Sequence, residues 1–586
     1  MKSRRNSRKL AVKNPGMRLS SLLWSGLLVL TGILVLPPFL LLAIGSFWGA
    51  PPGDPGSLSL QTYIEAYSSP ETYRVLWNSV YIATCKTFLA LIWGVSMAWL
   101  VTRTDMPFRG LIEVLIPVPF FIPGLFSIFG WIHLANPYNG LINQFLQFIF
   151  GFEKPLLNIY SYGGIIFIMT LGSASFIYLL TVGAFRGLDP ALEESARTCG
   201  AGLLTTFFRI TLPMIAPALL GAFVLSFIRG LEAFEAPVLL GSPVKIYVFT
   251  NEIHRAVTFR DPPQYGLAAA LGVTLIVITL LLVFAQWRIL GERQFFTITG
   301  RGYNPHPFKL HHWRWPAFAF CSLNFLLDGA LPIAMLVANS VSSIPGVYRW
   351  ELITFRHYRT AFMDEVVIRS LYNTTLLALL GAFIGILLSV LIAYAATRTK
   401  FWGRRMLDLL SWLPWTLPGI VLGVGMLWAV LMLPGYSVLY GTLWILLISF
   451  LIKGLPLGVR AVTGSLVQIH HELEECARIH GASWGQNCRY VLLPLIRPGI
   501  LAAGVFFAYA VLRDLSTAVL LYGYGSEVLT VAMLRYWAEG RVQVVSVLAL
   551  TTLLLLVILS ALQRLVVRKS PGAAWDSPPG NKPAAA

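Results

Sequence analysis

One stretch of this sequence is written twice. The first copy reads Glu194-Ser195-Ala196-Arg197-Thr198-Cys199-Gly200, then nine residues, then Ile210-Thr211-Leu212-Pro213. The second reads Glu475-Cys476-Ala477-Arg478-Ile479-His480-Gly481, then nine residues, then Val491-Leu492-Leu493-Pro494. Matched positions differ by 281 throughout, from Glu194 and Glu475 to Pro213 and Pro494, so neither copy carries a gap. Each is an island of charge in a long apolar chain.

The residues of the first copy dictate a short helix and a turn. Asp189 is a good N-cap acceptor, and Pro190 suits the first helical position, where a missing N–H costs nothing. Glu193 and Glu194 follow near the positive end of the helix dipole. Gly200 stands where a left-handed residue ends a helix, so the spacing predicts a helix over about 190–199. A second short segment, 203–210, is expected to be closed by Pro213. In the second copy His470 and His471 replace Asp189 and Pro190, which weakens the cap, while Gly481 and Pro494 remain. An ordinary pair of amphipathic interfacial helices is the plainer alternative. Two ungapped copies at matching places in two half-chains argue against it.

Composition places these islands. The chain has 586 residues, 56% of them hydrophobic and 12% charged, with a mean hydropathy of +0.70. Average soluble domains carry about twice that charge, so this is a polytopic membrane protein. A net charge of +18 would suggest nucleic acid in a soluble chain; here the excess of lysine and arginine on cytoplasmic loops accounts for it. The five cysteines are scattered without C-x-x-C spacing, and neither a disulfide nor a metal cluster is expected.

Apolar runs long enough to cross a bilayer recur at 21–47, 74–101, 111–135, 163–185, 214–240, 266–287, 316–341, 369–396, 407–433, 441–458, 495–522 and 542–563. Basic flanks put the N-terminus in the cytoplasm, and twelve crossings return the C-terminus there. Most of the lysines and arginines then fall inside, together with both duplicated loops.

Repetition extends beyond the loops. Asn78 aligns with Asn373, Thr102-Arg103-Thr104 with Thr397-Arg398-Thr399, and Pro123-Gly124 with Pro418-Gly419, all at an offset of 295. The fall from 295 to 281 means that the first half holds about 14 extra residues, assigned to the outside loop 136–162. Six spans per repeat is an even number, so the repeats share one orientation. The expected organisation is a basic cytoplasmic N-terminus (1–20), a first repeat (21–290, core 74–287), a cytoplasmic linker (291–315), a second repeat (316–569, core 369–566) and a disordered tail (570–586).

The pattern Glu-Ala-Ala, three residues, Gly, nine residues, Ile or Val, one residue, Leu-Pro resembles the signature loop of permease subunits of binding-protein-dependent ABC importers. The first copy departs only by Ser195 and the second only by Cys476 and Val491. The resemblance implies a MetI-like, type I importer fold of about 12 transmembrane helices in two parallel six-helix repeats. It implies that Glu194, Ser195, Ala196, Gly200, Leu212 and Pro213, and in the second loop Glu475, Cys476, Ala477, Gly481, Leu493 and Pro494, dock in grooves of two ATP-binding cassette subunits on the cytoplasmic side. It also implies a solute-binding protein outside, a multi-pass location in the bacterial inner membrane, and ATP and magnesium bound by the partner ATPase rather than by this chain. No G-x-x-x-x-G-K-[ST] sequence occurs here, so the protein is not expected to be an enzyme itself. Residues 295–302 and the segment Glu235-Ala236-Pro237-Val238-Leu239-Leu240-Gly241 resemble fused permeases of ferric iron importers; thiamine, polyamine, phosphonate and sulfate permeases are relatives with similar loops. A twelve-span secondary transporter of the major facilitator type shares the span count but leaves both loops unexplained.

Ionisable residues within spans are candidates for the pathway, because an unpaired charge in hydrocarbon is costly. The fifth span offers Arg229, Glu232 and Glu235 on roughly one helical face, and Arg229 and Glu232 are spaced to pair within it. The eleventh offers Arg513 and Asp514, with Arg513 at the place of Glu232. The expectation is a Glu232–Arg513 pair between repeats; the alternative is that these groups sit at outer span ends in interfacial water. Pro117, Pro119 and Pro123 in the third span and Pro414 and Pro418 in the ninth break backbone ladders, which is tolerated where helices line a cavity, and Pro123-Gly124 with Pro418-Gly419 are candidates for a gate region.

Overall fold

In lipid every backbone N–H and C=O must be satisfied within the chain, and helices do this segment by segment. The computed structural model describes residues 15–290 and 307–568, and these form helices joined by turns, with only isolated bridges besides. The basic stretch 1–14, most of the expected linker (291–306, including the iron-permease-like segment) and the tail 570–586 lie outside the described residues.

The first half runs α1 (Pro15–Ser46), α2 (Gln61–Ser68), α3 (Pro70–Arg103), α4 (Arg109–Leu115), α5 (Val118–Phe121), α6 (Gly124–Ala135), α7 (Leu141–Phe150), α8 (Tyr162–Gly187), α9 (Pro190–Thr198), α10 (Leu203–Thr206), α11 (Leu212–Leu231), α12 (Phe249–Thr258) and α13 (Tyr265–Leu290). The second runs α14 (Arg314–Phe325), α15 (Leu331–Val341), α16 (Arg356–Met363), α17 (Glu365–Arg398), α18 (Arg404–Trp412), α19 (Gly419–Met432), α20 (Leu443–Val467), α21 (His471–Ile479), α22 (Trp484–Asn487), α23 (Leu493–Leu495), α24 (Arg497–Arg513), α25 (Ala518–Leu521), α26 (Leu529–Ala538) and α27 (Val542–Arg568). Among the described residues nine helices are long and apolar enough to cross a membrane, and up to twelve if three bent pairs each count as one span.

Two of the bends fall at the duplicated Pro-Gly pairs. The chain turns by 93° between Phe121 and Gly124 and by 113° between Thr416 and Gly419. Pro123 (φ −56, ψ 131) and Pro418 (φ −54, ψ 141) adopt nearly the same conformation. A proline donates no N–H and forces the residue before it out of the helical region, which is where Ile122 and Leu417 are found.

The fifth and eleventh spans differ from the sequence expectation. The segment 203–210 is not closed by Pro213; the chain stays helical from Leu203 to Leu231, passing through a π turn at Phe207–Thr211. A π turn widens the ladder just before Pro213 and so makes room for its ring. At their far ends these spans stop early, at Leu231 and Arg513, where Glu232 and Asp514 are C-caps. The extra residues of the first half lie between α6 and α8 and include the short apolar helix α7.

The halves are interlocked. α1 packs on α19 of the other half, and α15 packs on α6. The crossings are close: a Cβ on Gly130 would stand 2.5 Å from Pro332 Cα, and one on Gly425 would stand 2.4 Å from Pro38 O. These two contacts are pseudo-symmetric equivalents, since Gly130 and Gly425 are 295 apart and Pro38 and Pro332 are 294 apart. Small residues at helix crossings are how membrane helices bring backbones together. The largest buried cluster accordingly spans both halves, and includes Phe126 and Phe129 from the first and Ile420 and Trp428 from the second.

Both duplicated loops lie at one end of the bundle. The start of α3 (Glu71, Thr72) and the segment after α1 (Trp48) line one cavity, with Tyr265. From there α3 runs to α9, while α1 runs back to Trp24, whose ring meets Tyr394 beside α22 and α21.

Candidate functional site

α9 forms for the reasons its sequence gives. Asp189 accepts from Ala191 N at 3.0 Å and Pro190 opens the helix. Gly200 has φ +84, and the last turn closes with Gly200 N on Arg197 O (2.9 Å) and Ala201 N on Ala196 O (3.0 Å). α21 repeats this with Gly481 at φ +83 and Ala482 N on Ala477 O at 3.0 Å, but His470 makes no side-chain cap. Ser195, Glu475, Cys476, Leu493, Pro213 and Pro494 are exposed, whereas Glu194, Ala196, Ala477 and Leu212 are half-buried. The result is two matching helices that present one face outward. A side chain at Gly200 would be forced into the left-handed region at a cost of about 1–2 kcal/mol. Gly200→Val is therefore expected to speed amide exchange at Ala201 by roughly five- to thirtyfold; an unchanged rate would show that the turn does not depend on glycine.

Each helix is stapled to the bundle by residues the motif reading passed over. Arg103, the last residue of α3, is 5% exposed and donates Nη2 to Phe185 O (2.7 Å) and Leu188 O (2.8 Å) at the C-terminal end of α8. Its Nε lies 3.6 Å from Glu193 Oε2, and Glu193 also accepts from Thr211 Oγ1 at 2.6 Å. One buried arginine thus ties α9 to α3, α8 and the start of the fifth span. In the second half Arg398 donates to Leu466 O and Ile469 O, both at 2.6 Å, with its Nε 3.4 Å from Glu474 Oε1. Asn487, 3.4 Å from Glu474 Oε2, takes the place of the threonine. The signal was present in the sequence: Thr-Arg-Thr recurs at the 295 offset, and Glu193 and Glu474 precede each motif. The buried glutamate is the one before Glu194 and Glu475.

The candidate pathway charges converge where the fifth and eleventh spans end. Arg229 lies over the rings of Phe176 (4.7 Å) and Phe120 (5.6 Å). Lys86 of α3 donates to Ser226 O (2.6 Å), Ser226 Oγ (3.1 Å) and Ser173 Oγ (3.1 Å). Across the bundle, Lys453 Nζ sits 2.8 Å from Asp514 Oδ1, which also accepts from Ser516 Oγ at 2.9 Å. Asp328 accepts from Ser127 at 2.6 Å. Arg229, Glu232 and Glu235 do not share a helical face, because α11 ends at Leu231 and Glu235 lies beyond it. Among the described residues neither the Arg229–Glu232 nor the Glu232–Arg513 ion pair forms. Glu232 lies in the field of Arg229, Lys453 and Lys86, and Glu235 is the first-half glutamate that interacts with Arg513. The arginines are engaged elsewhere: Arg229 over the Phe120 and Phe176 rings, and Arg513 on Tyr509 Oη. Four cations (Lys86, Arg229, Lys453, Arg513) and four carboxylates (Glu232, Glu235, Asp328, Asp514) thus balance, as charges withdrawn from water must.

A duplicated bundle of membrane-spanning helices, with a matching helix stapled to each half at one end, defines a transport pathway subunit. The chain belongs to the family of binding-protein-dependent transport system inner membrane components, whose model matches residues 90–290 and 381–570. It is similar to the ferric transport system permease protein of Actinobacillus pleuropneumoniae, at 27% identity over 80% of this chain and 67% of that protein. It is similar also to an Fe(3+)-transport system permease protein of Haemophilus influenzae (23% identity; 88% of this chain, 92% of that protein). A sulfate transport system permease protein of Salmonella typhimurium matches a single stretch (28% identity; 39% of this chain, 80% of that protein).

Proposed function

We propose that this chain forms the translocation pathway of an ATP-driven importer for iron(III), with Glu194–Pro213 and Glu475–Pro494 as the loops that couple it to two ATP-binding cassette subunits in the cytoplasm. A solute-binding protein delivers cargo at the opposite end, and both termini lie in the cytoplasm. ATP and magnesium belong to the partner ATPase; this chain hydrolyses nothing.

The observation that carries this reading is the duplicated staple. A helix held to neighbouring elements through a buried arginine cannot move alone, so a partner that shifts α9 and α21 shifts the α3–α8 and α17–α20 pairs stapled to them. Rocking the halves as rigid bodies gives alternating access. For ATP to drive it, each loop must bind its groove with different free energy in different nucleotide states. Iron as cargo is supported by the similarity to ferric permeases over most of the chain and by the segment 235–241.

The test is to express the chain with its ATPase and binding protein, purify through this chain, and measure radiolabelled iron uptake in vesicles. The ATPase is expected to co-purify and to be lost when Gly200 and Gly481 are both changed to glutamate. Failure to retain any ATPase would overturn the coupling role. Uptake of a different solute but not iron would overturn the cargo.

A further inference from the structure

The bend that ends α5 leaves a carbonyl without a helical partner. In a continuous helix Phe120 O would accept from the N–H of Gly124, but the chain turns at Ile122 and Pro123 and carries that N–H away. Its partners come from the other half. Tyr509 Oη of α24 donates to Phe120 O at 2.8 Å, and Arg513 Nη1, one turn later, lies 3.5 Å from the same oxygen and 2.5 Å from Tyr509 Oη. These two contacts join residues 70–260 to residues 365–541 through this one oxygen. The ring of the same residue is stacked on Phe176 (5.7 Å, 15°) and lies under Arg229, and Phe121 meets the ring of Tyr509 edge-on at 6.3 Å.

The arrangement has no counterpart on the other side, and the sequence says why. The pseudo-equivalents of Phe120, Tyr509 and Arg513 are Trp415, Ile228 and Glu232. Isoleucine has no donor and a carboxylate cannot donate to a carbonyl, so these two positions cannot hold the second elbow in the same way. The contact also contains its own opposition, since Arg229 and Arg513 feel each other's charge around Phe120.

Resting on the transport reading above, we propose that Tyr509 and Arg513 form a one-sided latch on Phe120 O that keeps the pathway shut at the first elbow, and that each transport cycle releases it. Any separation of the two cores must break these bonds. Tyr509 and Phe120 are thereby gating residues, although neither is charged.

The test uses the fact that Phe120→Cys keeps the backbone carbonyl. In the full-length chain, with Cys85, Cys199, Cys476 and Cys488 changed to serine and the protein in lipid nanodiscs without any partner, Phe120→Cys is labelled with a water-soluble maleimide. Adding Tyr509→Phe, which removes a single oxygen, is expected to speed labelling about tenfold, and Arg513→Gln to act in the same direction. Equal rates with and without Tyr509→Phe overturn the latch. Should Arg513→Gln fail to fold, Arg513→Lys, which keeps charge and a donor, is expected to label at an intermediate rate; a rate as slow as the Phe120→Cys parent counts against a role for Arg513. These rates are read without an ATPase, so loss of the latch and failure of the transport reading are separate results.

Discussion

Arg103→Ala will detach the first coupling helix from the bundle. The side chain is buried, its Nη2 satisfies two carbonyls at the end of α8, and its Nε faces the carboxylate of Glu193. Removing one partner of a buried ion pair leaves the other charge uncompensated and costs about 3–5 kcal/mol. That is a large share of the roughly 5–15 kcal/mol by which ordinary proteins are stable. The loss is local, because α9 is a nine-residue helix and the Arg103–Glu193–Thr211 cluster is its buried anchor. Amide exchange in α9 is therefore expected to rise at least a hundredfold, with α3 and α8 little changed, and uptake by the assembled complex to fall to background. Arg103→Ala combined with Glu193→Ala should restore part of the protection, because no unpaired carboxylate then remains. Arg398→Ala should behave alike through Glu474. If exchange in α9 stays within threefold of the parent, the staple is not what holds the helix.

The contrast between these residues and the motif shows what the sequence makes legible. Capping residues and the glycines at 200 and 481 act through local backbone geometry, so their positions could be read without knowing what surrounds them. The elbows were legible for the same reason, since Pro123 and Pro418 break a ladder wherever they stand. Burial is a tertiary property. Glu193 and Glu194 are adjacent and chemically identical in sequence, and only the arrival of Arg103 from 90 residues earlier marks the first as internal. The pathway pairing failed at an earlier step: extending the fifth span past Leu231 put Glu232 and Glu235 on one face, and the helix ends before Glu235 is reached, while Arg229 and Arg513 turn to aromatic partners.

The exchange of first helices between halves was illegible for a further reason. Hydropathy reports that a segment leaves water, and lipid and protein satisfy that equally. Which half α1 joins is decided by close contact, at Gly425 against Pro38 and at Gly130 against Pro332. Gly425→Val is expected to drive α1 off α19, because its Cβ would lie 2.4 Å from Pro38 O, a backbone atom that cannot rotate away. Overpacking a membrane crossing of this kind should cost at or above the upper end of the usual range of about 1–3 kcal/mol. Gly130→Val should do the same to α15 and α6. The control is Gly183→Val in α8, where an added Cβ meets nothing within 4 Å. Thermal unfolding in detergent, followed by size-exclusion profile, should show both crossing variants aggregating well below the parent, with the control close to it. Equal melting of all three would mean that the halves are held together elsewhere, and that the pseudo-symmetric glycines mark only the ancestry of the repeat.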